Sequence, residues 1–252
     1  MLVKDAVAIM EKIAPKKLAL DWDNPGLQVG RLNNRVTKVL FTLDLTPNAV
    51  KQAVKVKADL IITHHPVIYQ KLANVADNDW QKDLLLQCAE KKIAVLSAHT
   101  NWDAAQGGVN DVLAKALGLK KIKLLDKETQ IGRMGEVPSC DLEKFAIKVK
   151  KILGVPAVTF IKGGKKVHKI AVCGGAGGDF LDWVLQTGCD TFLTADIKYH
   201  LAQRGAYMGL NLIDGTHQGT ERISMQDMLN KFKKYAKVES VLFEDSILME
   251  VV

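Results

Sequence analysis

The sequence predicts an α/β protein made of two similar lobes from an internal duplication, each a mainly parallel sheet flanked by helices. Three observations predict it. β-like and helical segments alternate along the chain, the second half repeats a strand–helix–strand block of the first, and ionisable residues collect where the strands end. The 252 residues, 48% of them apolar, are enough for one large core or two modest ones.

Val3, Ala6, Val7, Met10, Ile13 and Ala14 recur at helical spacing, and Pro15 closes that helix. Asp21-Trp22-Asp23-Asn24-Pro25-Gly26 is rich in turn formers and runs into Leu27-Gln28-Val29-Gly30. Residues 38–44 are β-like and 47–57 helical. Residues 59–63 form a short apolar strand that ends in His64-His65-Pro66. Residues 79–91 are helical, 93–97 β-like, and 109–117 helical up to Gly118. Strands separated by helices pair in parallel, because a parallel connection needs a crossover.

The second half carries the same block. Sliding the chain on itself by 131 residues lays Val36-Thr37-Lys38-Val39 on Val167-His168-Lys169-Ile170. The same offset, with no gap, lays Asp59-Leu60-Ile61-Ile62-Thr63 on Asp190-Thr191-Phe192-Leu193-Thr194. Once a deletion is allowed, His99 and Asp103 correspond to His217 and Glu221, each pair four residues apart. The expected lobes are residues 1–126 and 127–252, joined near 120–131.

Composition excludes several classes. Charged residues make up 25% of the chain and mean hydropathy is near zero, as in a soluble globular protein. No apolar run approaches the roughly eighteen residues of a membrane span. The first twenty residues lack the pattern of a signal peptide, so a cytoplasmic protein is expected. Cys88, Cys140, Cys173 and Cys189 show no metal-ribbon spacing and read as reduced core thiols. The net charge of +7 comes mostly from lysine. The clusters in 162–169 and 231–237 permit weak attraction to polyanions without establishing nucleic-acid binding.

Parallel α/β sheets present ligands beyond the carboxyl ends of their strands. His64 and His65 end one strand, His99 and Asp103 follow another, and His217 and Glu221 follow a third. Imidazole and carboxylate donors together suit zinc, manganese or iron, and two ions need about this many donors. Neighbouring side chains on extended backbone point to opposite sides, so His64 and His65 could serve two different ions. His99 stands apart as a group that orients Asp103 or holds a water.

Four strings occur in order: Leu20-Asp21-Trp22-Asp23-Asn24-Pro25-Gly26-Leu27-Gln28-Val29-Gly30, Thr63-His64-His65-Pro66, His99-Thr100-Asn101-Trp102-Asp103, and His217-Gln218-Gly219-Thr220-Glu221. Together they resemble the dinuclear-metal family called NIF-three-like, also labelled GTP cyclohydrolase I type 2 homologues. The resemblance covers essentially the whole chain. It implies a two-lobed α/β protomer, a toroidal homohexamer, and two divalent metal ions lining its interior. The ligands it implies are His64, His65, Asp103, His217 and Glu221. Alternation along the strand suggests His64 with His217 on one ion, His65 with Asp103 on the other, and Glu221 as the bridge. The family usually has glycine directly before its last histidine, where this chain has Thr216. The chain matches the short form, without a domain inserted between the lobes.

Gly174-Gly175-Ala176-Gly177-Gly178 is either a tight strand-to-helix turn or a phosphate cradle. Trp22 and Trp102 either stack on a base or pack their loops. Two functions follow. The first is metal-assisted hydrolysis of a nucleotide or related anionic small molecule, with ring-opening of GTP implied only by the family label. No Ser–His–Asp or Cys–His arrangement calls for a protein nucleophile. The second is a non-catalytic metal-binding ring that acts as scaffold, metal handler or nucleic-acid-associated factor.

Overall fold

The computed structural model describes residues 1–164 and 166–251; Lys165, part of the 162–169 lysine cluster, and Val252 lie outside the described residues. Contacts divide the chain into two units, Met1–Ala105 with Met225–Ser246, and Gln106–Ser224 with Ile247–Val252. The first crossing therefore falls ahead of residue 126, and Met225–Ser246 belongs with the first unit.

In the first unit, α1 (Val3–Ile13) buries Val3, Ala6, Met10 and Ile13, the stripe its spacing predicts. The chain continues through β1 (Gly26–Val29), β2 (Lys38–Thr42), α2 (Pro47–Val56) and β3 (Leu60–Thr63). It then forms α3 (Trp80–Glu90), β4 (Ala94–Ser97) and the one-turn helix α4 (Thr100–Ala104). Thr46 caps α2 by accepting from Ala49 N at 3.0 Å, and Pro47 takes the first helical position, where its missing N–H costs nothing.

In the second unit the order is α5 (Val109–Ala116), β5 (Lys120–Leu124), β6 (Arg133–Cys140), α6 (Leu142–Leu153) and β7 (Thr159–Ile161). It ends with β8 (Val167–Val172), α7 (Leu181–Gln186), β9 (Thr191–Thr194), α8 (Tyr199–Tyr207), β10 (Asn211–Asp214) and α9 (His217–Arg222). Leu113 and Ala114 of α5 join Phe145, Val149, Ile170, Leu193 and Ile213 in one buried cluster, which ties this helix to the second sheet. The chain then supplies α10 (Met225–Lys233) and β11 (Glu239–Leu242) to the first unit. There Phe232 meets Phe41 edge-on at 5.4 Å, and both are fully buried.

The first sheet runs β1-β4-β3-β2-β11 and is parallel except at β1. The second runs β5-β6-β8-β9-β10-β7. Among the described residues, only its β8-β9-β10 centre is parallel, and three of its five pairings are antiparallel. The α/β class stands, but this sheet is less parallel than the alternation implies. A short turn joins β5 to β6, held by Asp126 accepting from Glu128 N at 3.0 Å and Thr129 N at 3.1 Å. Only antiparallel neighbours can be connected that way.

The duplicated block has one register in both units. Val39 pairs Leu60 in β2–β3, and Ile170 pairs Thr191 in β8–β9, each residue displaced by the same 131 positions. The equivalent aspartates do the same work. Asp59 accepts from Thr37 N at 2.7 Å and Lys38 N at 3.2 Å. Asp190 accepts from His168 N at 3.0 Å and Lys169 N at 2.7 Å. Charged acceptors make such bonds worth about 1.5–3 kcal/mol, so Asp59→Ala and Asp190→Ala should each lose that much in urea unfolding at neutral pH. Burial pushes the Asp59 carboxyl up, but the hydrogen bonds from Thr37 and Lys38 outweigh it and hold the group below 3.8. A depressed carboxyl stabilises fully above its unfolded pKa and loses that contribution as pH falls through the folded value. The Asp59→Ala penalty should therefore shrink in acid, and a penalty unchanged with pH would contradict the assignment.

Candidate functional site

At the end of β3 the chain bends, and the N–H groups of His64 and His65 both donate to Leu43 O at 3.1 Å. The bend brings the two imidazoles to one side, with ring centroids 4.8 Å apart. Strand alternation, which would send them to opposite faces, has ended one residue earlier. The His99 ring lies 5.3 Å from that of His64 and 5.5 Å from that of His65. The three side chains offer ligand nitrogens all within 4.8 Å of one another.

Each imidazole is oriented from behind. His64, fully buried, has Nδ1 2.9 Å from Ala98 O. His65 Nδ1 lies 2.7 Å from Asp44 Oδ1, and His99 Nδ1 lies 2.7 Å from Asp23 Oδ1. Acceptor-only partners place the proton on Nδ1 and leave Nε2 as the basic nitrogen. The His64 Nε2 is 3.6 Å from Asp103 Oδ1. Asp103 is buried on α4, and its N–H donates to His99 O at 3.1 Å. The sequence pairs Asp103 with His65; the distance favours His64. The ring of His99 is held by Asp23, and its backbone carbonyl receives the Asp103 N–H.

Asp23 is the hub of this arrangement. Its side chain is wholly buried, and it also accepts from Thr100 N at 3.0 Å and from the Thr100 hydroxyl. Burial alone would raise its pKa, but the bonds from His99 and Thr100 hold it below 3.8. Trp102 of the same motif is fully buried beneath the Lys231 ammonium, 5.6 Å from its ring centre, so it packs its loop and presents no stacking face.

In the second unit, His217 opens α9 directly after β10. Its Nδ1 is 2.7 Å from Asp196 Oδ2, and its Nε2 is 3.2 Å from Glu221 Oε1 one helical turn on. Glu221 is buried. The glycine loop explains how: Gly175 has φ +64°, and a Cβ there would stand 2.2 Å from Glu221 Oε1 and 3.1 Å from His217 Nε2. Three N–H groups of that loop are spent inside the chain. Gly174 donates to Asn110 Oδ1 at 3.0 Å, Gly175 to Thr220 Oγ1 at 2.9 Å, and Gly177 to Thr194 Oγ1 at 2.8 Å. The tight-turn reading describes this loop, and its glycines make room for a carboxylate.

The two polar clusters correspond, but one residue out of step with the reading from sequence. Thr63 pairs Ser97 in the first sheet, and Thr194 pairs Asp214 in the second. Counting on two residues from each makes His99 equivalent to Thr216, and both are helix N-caps. Thr216 adopts φ +64° and ψ +145°, a region nearly reserved for glycine. Glycine, which the family resemblance implies at this position, would adopt it without strain. The Thr216 hydroxyl recovers part of the strain by accepting from Gly219 N at 3.1 Å. Relief of about 1–3 kcal/mol exceeds the few tenths lost with the cap, so Thr216→Gly should raise the thermal midpoint. A lowered midpoint would contradict the strain.

The sequence reading named His64, His65, His99, Asp103, His217 and Glu221. It missed Asp23, Asp44 and Asp196, which hold the imidazoles of His99, His65 and His217. Asp196 was detectable, since the 131-residue offset places it on His65. The four cysteines are free thiols, and burial pushes that of Cys88 up to about 11. Among the described residues, no helix is long and apolar enough to cross a membrane.

Residues 1–246 match the family model described as Duf34/NIF3 (NGG1p interacting factor 3). A Lactococcus lactis protein named GTP cyclohydrolase 1 type 2 homolog is 37% identical over 221 residues, covering 86% of each chain. A Helicobacter pylori protein named GTP cyclohydrolase 1 type 2 is 29% identical, with 95% of this chain and 96% of that one covered. Among solved structures, Staphylococcus aureus protein SA1388 superposes with a TM-score of 0.91 at 26% identity, covering 100% of this chain and 99% of that one. Fold, motifs and family model coincide: the chain belongs to the Duf34/NIF3 family.

Proposed function

We propose that this chain is a metal-dependent hydrolase acting on a nucleotide or related anionic small molecule. Its ligands to two divalent cations would be His64, His65, Asp103, His217 and Glu221. One observation carries the reading. Each of the four histidines at the strand ends has its Nδ1 held by an oxygen acceptor, and for His65, His99 and His217 that acceptor is a carboxylate. This is the support that metal-binding imidazoles need, since it fixes the orientation of the ring and leaves Nε2 to face a cation.

The donor set fits divalent cations. Imidazole nitrogens together with two buried carboxylates, Asp103 and Glu221, suit zinc, manganese or iron. His64 and Asp103, 3.6 Å apart, would share a cation, and His65, His217 and Glu221 would supply the remaining donors. Cations held there would supply Lewis acidity and lower the pKa of an attacking water. Asp44 and Asp196 fix the imidazoles of His65 and His217 in orientation, and Gly175 leaves the Glu221 carboxylate its space. His99, anchored by Asp23, stays outside the ligand set and holds or positions the reacting water.

The name of the Helicobacter pylori relative makes GTP the first substrate to try. The proposal includes a cytoplasmic homohexamer, as the family resemblance implies; light scattering that returns a monomer at micromolar concentration would remove that part. The activity itself is tested by a metal-replete screen over nucleotides, phosphoesters and cyclic amides, with Glu221→Gln as control. Turnover that depends on added metal and vanishes in the control is expected. Salt-sensitive DNA binding with no turnover would favour the non-catalytic ring instead.

A further inference from the structure

Trp22 is 57% exposed and Tyr69 is 54% exposed, yet neither is a loose side chain on a loop. Their rings meet edge-on at 5.8 Å, and the Trp22 ring meets the His99 imidazole edge-on at 5.9 Å. That same imidazole faces His64 and His65. The aromatic pair therefore continues the wall of imidazoles outward from the His64–His65 cluster.

The backbone beneath the pair is fastened. Asn24 Nδ2 donates to Ile68 O at 2.7 Å, joining the segments that carry Trp22 and Tyr69. Gln28 spans both segments, its Nε2 donating to Asn24 O at 2.8 Å and its Oε1 accepting from Ile68 N at 3.2 Å. Next to Trp22, Asp23 is pinned to His99 and Thr100. Polar residues of the Asp21–Gln28 string thus hold two large apolar faces in water. Burial would be the ordinary fate of such rings, yet more than half of each stays exposed.

We propose that Trp22 and Tyr69 form a stacking platform for the planar heteroaromatic ring of the substrate, holding it beside the His64–His65 cluster. The proposal rests on the hydrolase reading above for the location of the reacting end. An exposed indole offers a π-face to any planar base and discriminates little among them. The platform would therefore select nucleobase-like compounds over simple phosphates, leaving the choice of base to other groups. It also assigns a role to the string around Trp22: Asp23 sets the imidazole, while Asn24 and Gln28 set the platform.

The test measures equilibrium binding of guanosine, GTP and ribose 5-phosphate to the metal-replete full chain, for wild type, Trp22→Ala, Trp22→Phe and Tyr69→Ala. Metal content and oligomer size are recorded for each. Trp22→Ala should weaken guanosine and GTP roughly ten-fold or more, with ribose 5-phosphate and metal content unchanged. Trp22→Phe should recover most of the loss. For any compound that turns over, KM should rise while kcat holds, the mark of an interaction equal in ground and transition states.

The platform is overturned if wild type binds no guanosine, if Trp22→Ala binds it as well as wild type, or if the variant changes metal content or oligomer size instead. Guanosine binding that depends on Trp22 in a protein without turnover would sink the hydrolase reading and leave the platform standing. Turnover of GTP with an unchanged KM in Trp22→Ala would do the reverse.

Discussion

Replacing His64 by alanine should abolish metal-dependent turnover while leaving the protein folded. His64 is fully buried, its Nδ1 is fixed on Ala98 O at 2.9 Å, and its Nε2 is 3.6 Å from Asp103 Oδ1. Loss of a residue that merely orients a metal-binding imidazole typically costs about 10- to 100-fold in metal affinity or activity. Loss of the imidazole itself should cost more than about 100-fold. Asp44→Ala supplies the internal comparison, since it removes only the 2.7 Å support of His65 Nδ1 and should fall in the lower range. Steady-state rates at saturating metal, with thermal unfolding run alongside, check both. Equal losses in the two variants would argue that His64 is a supporting residue too.

Gly175→Ala should be nearly as damaging, though it removes no functional group. Its φ of +64° already disfavours a side chain, and the new Cβ would fall 2.2 Å from Glu221 Oε1. The carboxylate would have to leave its place beside His217. Gly188 is the control, because it has φ +71° but no atom within 4 Å of where a Cβ would stand. Gly188→Ala carries only the backbone cost, about 1 kcal/mol or somewhat more. Gly175→Ala should show that cost together with loss of metal and activity. Were the two variants to behave alike in metal content, the contact between Gly175 and Glu221 would have no functional meaning.

The comparison of Asp44 with Gly175 also shows what the duplication conveys. The 131-residue offset lays one on the other, and it lays His65 on Asp196. In the first unit an aspartate at the strand end supports the histidine of the next strand. In the second, the aspartate has moved to the next strand, and the glycine admits a glutamate. The offset revealed the two strands and their shared register because β3 and β9 are short apolar runs with closely matching boundaries. It could not reveal β5 or β6, which lie ahead of the repeated block, whereas β7 takes the place of β1, each an antiparallel edge strand against β10 or β4. β6 was also hard to read as a strand, since Gly135 and Pro138 interrupt it and its register with β8 shifts between Glu136 and Cys140.

The metal-ligand candidates were legible because histidine and carboxylate are few at strand ends, and their types alone suggest the chemistry. Their supports were not. Asp23 lies 76 residues from the His99 it holds, and nothing in local spacing links them. The orientation of His64 and His65 was misjudged for a related reason. Alternation is a property of extended backbone, and the chain leaves that geometry at Thr63, where both following N–H groups turn to Leu43 O.

The most direct test of the central claim is the divalent-metal content of the purified, metal-replete chain, measured by elemental analysis for wild type, Glu221→Gln and His200→Ala. His200 is an exposed histidine on α8 with no part in the proposed site. The account predicts two ions per chain in wild type and in His200→Ala, and the loss of one or both in Glu221→Gln, because an amide is a neutral and weaker donor. A Glu221→Gln protein with the metal content of wild type would contradict it.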